Sequence, residues 1–185
     1  MDGGALRLVT FAVLSGGLVA VSWRSLRVAG SHGFYRFFAW EAIVALVLLN
    51  GATWFADPWS PVHVVSWCLL LLSLVVLGFA LHLLVAGNPA ARRDDPTLFS
   101  FEKTTALVTT GIYRHVRHPM YGSLLLVAWG TFLKSVTWPS ACLIAVATAC
   151  LVATARADEA ECVRYFGAPY REYMTRSRMF VPWLL

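Results

Sequence analysis

Within eleven residues, Gly111 to Tyr121, the chain gathers two histidines, two arginines and two tyrosines: Gly-Ile-Tyr-Arg-His-Val-Arg-His-Pro-Met-Tyr. Pro119 suits the first turn of a helix, where its missing N–H leaves no bond unmade. The apolar run after it, including Leu124, Leu125, Leu126, Val127 and Trp129, is therefore expected to be helical. The N–H groups of Met120, Tyr121 and Gly122 would then point out of the helix start, at the positive end of its dipole. Arg114, Arg117 and His118 lie beside them. Such an arrangement binds anions. A plain headgroup-binding cluster of Arg114, His115, Arg117 and His118 is the competing reading.

The elements that must position these groups are membrane helices. Hydrophobic residues make up 58% of the 185, only 14% are charged, and the mean hydropathy is +0.65. An ordinary soluble domain is about 45–50% apolar and about 25% charged. An all-α polytopic membrane protein is expected, with five spans at about Leu6–Trp23, Phe34–Phe55, Val62–Ala86, Pro119–Val136 and Trp138–Ala155. The third is the clearest, because no Lys, Arg, Asp or Glu occurs from Pro58 to Ala91 and a span takes roughly 20 residues. The first and fourth have shorter uncharged runs, Leu8–Trp23 and His118–Leu133, flanked by Arg7 and Lys134, which are expected to snorkel to the headgroups. Nor does the first span read as a cleaved signal, since only Arg7 precedes the apolar run and no Ala-x-Ala site follows.

Orientation follows from the basic residues. With the amino terminus outside, 13 of the 15 Lys and Arg fall on the cytoplasmic side, leaving Arg7 and Lys134 outside. The Gly111–Tyr121 stretch and the carboxy-terminal tail are then cytoplasmic. The net charge of +5 is accounted for by anionic headgroups and calls for no nucleic acid. Between the third and fourth spans, Gly87–Thr110 is a long polar interruption carrying Asn88, Pro89, Arg92, Arg93, Asp94, Asp95, Pro96 and Thr97. Loops of that length usually carry function or a lid. Beyond Ala155 the chain turns amphipathic, and Gly167 and Pro169 are expected to divide this tail into two short helices. Cys68, Cys142, Cys150 and Cys162 show no metal-site or disulfide spacing and read as small buried hydrophobes.

The Gly111–Tyr121 stretch resembles the signature of the isoprenylcysteine carboxyl methyltransferase and phospholipid N-methyltransferase superfamily, Gly-x-Tyr-x-x-x-Arg-His-Pro-x-Tyr. Gly111, Tyr113, Arg117, His118, Pro119 and Tyr121 all match. Downstream, Asp158-Glu159, Phe166-Gly167, Tyr170, Tyr173 and Pro182 are similar to the family's Glu-Glu, Phe-Gly-x-x-Tyr-x-x-Tyr and terminal proline. The resemblance covers roughly residues 76–185. It implies a methyltransferase core over 61–185, preceded by helices without a motif over 1–60, and S-adenosylmethionine as methyl donor. It also implies that Tyr113, His118, Tyr121, Asp158 and Glu159 line the donor pocket, with the backbone of Leu107 and Val108 just upstream.

A sulfonium donor arrives activated, so such an enzyme chiefly aligns donor and acceptor and manages charge. The donor's carboxylate needs an anion site, for which Arg117, His118, Pro119 and Met120 are the candidates; its amino group and ribose hydroxyls need acceptors, for which Asp158 and Glu159 are. Two departures from the family matter. Asp158 replaces a glutamate, which leaves Glu159 expected to carry the larger share, with Asp158 acting through water or Arg156. Thr154 stands where the prenylcysteine enzymes place an arginine that holds the substrate carboxylate, and the nearest basic residue, Arg156, is on another helix face. Amine, thiol and phenolic acceptors on amphiphilic molecules stay open.

Glu41 and His82 fall at similar depths in their spans, where an ionisable group is costly unless paired. They are expected to face each other or the substrate cavity, which a lipid-like acceptor would enter laterally. His63 and His115 read as capping or interface histidines, and Trp54, Trp59, Trp138 and Trp183 as an aromatic belt. Two other functions fit the same architecture: a sterol-type membrane reductase binding a reduced nicotinamide dinucleotide in the same place, and a non-catalytic scaffold.

Overall fold

Six helices and two 3₁₀ turns make up about three quarters of the residues that the computed structural model describes, 3–86, 98–99 and 103–182. Most of the polar connection, Asn88 to Thr97 with Arg92, Arg93, Asp94 and Asp95, and also Trp183, lies outside them. The helices are α1 (Gly3–Leu26), α2 (His32–Asn50), α3 (Pro61–Ala86), α4 (Pro119–Phe132), α5 (Trp138–Phe166) and α6 (Ala168–Arg176).

Local chemistry sets their ends. The Ser31 hydroxyl accepts from the Phe34 N–H to cap α2, Thr137 does the same for Ser140 at the start of α5, and Pro119 opens α4. The expected fifth span and the first tail helix prove to be one element. With no break between Ala155 and Arg156, α5 runs 29 residues, about 43 Å at 1.5 Å per residue, well beyond a hydrocarbon core of about 30 Å.

One core joins the helices: Ala39, Ala42, Ile43 and Leu46 of α2 meet Tyr121 and Ala128 of α4 and Ile144, Ala147, Leu151 and Ala155 of α5. The small side chains let the backbones approach, as membrane helix packing favours. α3 packs on α4, so closely that a Cβ at Gly130 would sit 2.9 Å from Leu70 Cγ and 3.1 Å from the Ser66 carbonyl. α1 packs on α2 and turns Leu8, Val13 and Val21 outward.

Four helices, α1, α2 with the turn after it, α3 and α5, are long and apolar enough to cross a membrane. The fourth expected span is shorter than predicted, ending at Phe132 after 14 residues, about 21 Å. It nevertheless joins two polar layers. At one end the Asn50 amide donates to the Thr131 carbonyl at 2.9 Å and accepts from the Ser140 hydroxyl at 2.9 Å, while Ser66 donates to the Gly130 carbonyl at 2.6 Å. Each such bond contributes only about 0.6 kcal/mol on average in a membrane, but leaving a group unpaired there is costly. At the other end lie His32, His118 and the last turns of α5.

Lys134 does not snorkel. It is 2% exposed, with its ammonium 3.5 Å from the centre of the Trp67 ring and Trp54 on the other side at 6.0 Å, because two indole faces desolvate and hold the cation together. Trp54 thus belongs to this box, whereas Trp59 and Trp138 are each 86% exposed, as residues of an interfacial belt would be. Cys68 and Cys142 face outward from their helices, contrary to the expectation of burial, because their faces lie away from the α2–α4–α5 core.

Candidate functional site

The polar stretch is held by tertiary pins. Gly111 opens the 3₁₀ turn Gly111–Arg114 at φ +58°, a conformation that favours glycine, and a Cβ there would push on the end of the Leu83 side chain, 2.5 Å from its Cδ1. The Tyr113 ring is buried behind it, and its carbonyl accepts from the Tyr173 hydroxyl of α6. Burial raises both phenols, Tyr113 beyond the range in which a tyrosine ionises and Tyr173 up to about 12, so both stay protonated donors.

Val116 forms an isolated parallel bridge with Arg178, and the tail pairs alongside residues 115–118. Arg117 N–H donates to the Arg178 carbonyl at 2.8 Å, His118 N–H to that of Met179 at 3.1 Å, and Arg178 N–H to that of His115 at 2.9 Å. The Arg117 side chain completes this seam. Its Nε donates to Glu159 Oε1 at 2.7 Å, and its Nη1 to the carbonyls of Ser177 and of Met174, the latter at 3.3 Å. Arg117 is thereby a clamp between α5 and the tail, not the open anion ligand that its neighbourhood in sequence suggests. Gly122 likewise is no free donor: its N–H closes onto the His118 carbonyl at 2.8 Å.

His118 sits at the hinge of the site, 5% exposed, immediately before α4. Its Nδ1 lies 3.4 Å from Asp158 Oδ2, its Nε2 3.4 Å from Glu159 Oε1, and its ring stacks on Tyr121 with centroids 5.5 Å apart. Burial alone would discharge the imidazole. The hydrogen bonding and charge of Asp158 and Glu159 outweigh it and hold His118 above its ordinary value. Arg117, Glu159, His118 and Asp158 thus form a row of alternating sign.

A cleft opens beside this row. Leu107, Val108, Tyr113, Arg117, His118, Pro119, Met120, Tyr121 and Asp158 all reach its wall, which puts nine of the ten expected donor-site residues together. The tenth, Glu159, is turned onto Arg117 and away from the cleft. Asp158, not Glu159, presents a carboxylate to it, because the two side chains leave α5 about 100° apart.

Other expected residues stand elsewhere. Glu41 is half-buried on α2, and its Oε1 has no hydrogen-bond partner among the described residues; His82 is on α3, which packs against α4, and no hydrogen bond among those residues joins the two. Arg156 is exposed on another face of α5, lining a shallow groove with Tyr35 and Ala153. None of the three lines the cleft. Cys162 does, and its thiol points at Asp158 Oδ1 at 3.7 Å; a spacing of four from Asp158 was the available signal. Tyr170 and Phe166 line it too, ring against ring at 6.4 Å, although the sequence motif containing them carries no assigned contact.

The sequence model of the phospholipid methyltransferase family matches residues 69–168, more than half the chain. The chain belongs to that family. It is a membrane methyltransferase, and the matched segment runs from the middle of α3 to the first residue of α6, so it contains the 3₁₀ turn, His118 and both acids. No curated protein and no solved structure matches the chain.

Proposed function

We propose that the chain transfers a methyl group from S-adenosylmethionine to a lipid-like acceptor resident in the bilayer, with the donor bound in the cleft beside His118. The convergence of both family motifs on that cleft carries the reading. Its residues suit the donor: Tyr170 and Phe166 offer flat apolar faces to a purine, and Asp158 offers an acceptor to hydroxyl or ammonium groups. The His118 imidazole and the start of α4 offer positive charge to a carboxylate. When bound, the donor supplies an electrophilic methyl; the protein's residues orient it, exclude water and balance charge. Family membership favours lipid acceptors. Thr154, fully buried with its hydroxyl bonded to the Cys150 carbonyl at 2.7 Å, offers no cation for a carboxylate, which favours amine, thiol or phenolic acceptors.

Purified protein is expected to bind S-adenosylhomocysteine in isothermal titration and to ignore NADPH. Tyr121→Phe should weaken that binding severalfold, since a net hydrogen bond is worth about 0.5–1.5 kcal/mol. Binding of NADPH alone would replace this reading with the reductase.

The same reading places the donor cleft on the cytoplasmic face and the Asn50 layer at the opposite face, with 13 of 15 basic residues inside. In a cysteine-free background, Gly4→Cys and Asp57→Cys should be labelled from outside and Glu172→Cys only after permeabilisation. Labelling of Asp57→Cys and Glu172→Cys from one side would overturn it.

A further inference from the structure

Three carboxylates crowd one turn of α5: Asp158, Glu159 and Glu161. Measured around the helix axis, Glu161 lies about 60° to one side of Asp158 and Glu159 about 100° to the other. The Glu159 side is tied to Arg117. The Glu161 side is tied to α2, in a region that the family match does not include. There the His32 backbone N–H, in the first turn of α2, donates to Glu161 Oε1 at 3.0 Å, and His32 Nδ1 lies 2.7 Å from Oε2. Both oxygens of one carboxylate are engaged by one residue at the positive end of a helix. His32 is 1% exposed, and its ring, Asp158 and Glu161 bring ligand-type atoms within 4.8 Å of one another.

We infer that His32 and Glu161 are a positioning pair for the donor site: gripping Glu161 from α2 fixes the rotation of α5, so that Asp158 is held facing the cleft between two pinned neighbours. The inference rests on the donor reading above and adds α2 to the site. A buried pair of ionisable side chains is a poor stabiliser against an apolar alternative. Its place one turn from the only carboxylate lining the cleft among the described residues gives it a different use. Of the two, Glu161 has its carboxylate partly exposed, so its truncation disturbs packing least.

The test is titration of the full-length protein in detergent with S-adenosylhomocysteine, using wild type, His32→Ala, Glu161→Ala, Glu161→Gln, Asp158→Asn and the His32→Ala/Asp158→Asn double variant. His32→Ala and Glu161→Ala should each weaken binding about tenfold. Glu161→Gln, which keeps an acceptor for the His32 N–H, should recover most of the affinity. The double variant should bind no worse than Asp158→Asn alone, since His32 acts through that side chain. If wild type binds and His32→Ala and Glu161→Ala bind within twofold of it, the pair is only a helix staple and the donor reading survives. Additive losses in the double variant would likewise remove the positioning role. No binding by wild type would remove the donor reading, and this inference with it. Should His32→Ala fail to fold, Glu161→Ala against Glu161→Gln decides the matter alone.

Discussion

Arg117→Ala is expected to destabilise the protein by about 3–5 kcal/mol, the range for removing one partner of a buried ion pair. The pair with Glu159 leaves each side chain only 10–12% exposed, so solvent screens little of the loss. Alanine strands the Glu159 carboxylate beside His118 and also frees the carbonyls of Met174 and Ser177 at the end of α6. At about 2–4 °C per kcal/mol for a chain of this size, unfolding in detergent should move down by roughly 10 °C. Arg117→Lys should recover only part of this, since an ammonium cannot serve Glu159 and two carbonyls through one planar fork. Proteolysis should show where the loss falls, with cleavage appearing first at Arg171 and Arg176. A variant melting within a degree of wild type would mean that the tail is held by its backbone seam alone.

That clamp shows what a sequence does and does not reveal. Hydropathy located α1, α2, α3 and α5 because lipid demands long apolar runs, and the signature residues located the cleft because local spacing around Pro119 fixes which groups share a helix start. Arg117 was misread as an open anion ligand, since its partners lie 42 to 60 residues downstream and two of them are backbone carbonyls, which carry no side-chain signal. The seam of residues 115–118 with 178–179 was invisible for the same reason. His32 and Glu161, 129 residues apart, were each unremarked alone, although an ionisable residue directly after the Ser31 cap was a usable hint. The short α4 and the unbroken α5 were missed at their ends, where the turn Leu133–Val136 carries no Gly or Pro to mark a stop and nothing between Ala155 and Arg156 breaks the helix.

The same geometry reverses the ranking of the two acids. Asp158→Asn is expected to weaken S-adenosylhomocysteine binding by about 1.5–3 kcal/mol, roughly ten- to over a hundredfold, because it removes the carboxylate that faces the cleft and one of the two that keep His118 charged. Glu159→Gln should act mainly on stability, through Arg117. The pH dependence separates these effects. A histidine whose value is raised on folding contributes fully below its ordinary value, about 6.5, and loses that contribution as pH rises through the raised one. Wild-type affinity should therefore hold past the ordinary histidine value and fall as pH rises through the raised one, as the His118 imidazolium that faces the ligand carboxylate is lost. In Asp158→Asn one acid is left to oppose the burial of the imidazole, so the fall should move to lower pH. If Glu159→Gln proves the more damaging to affinity, or the pH profile of Asp158→Asn coincides with that of wild type, then Asp158 neither faces the donor nor sets the charge of His118, and the cleft beside Glu159 must be entered from the other side of the helix.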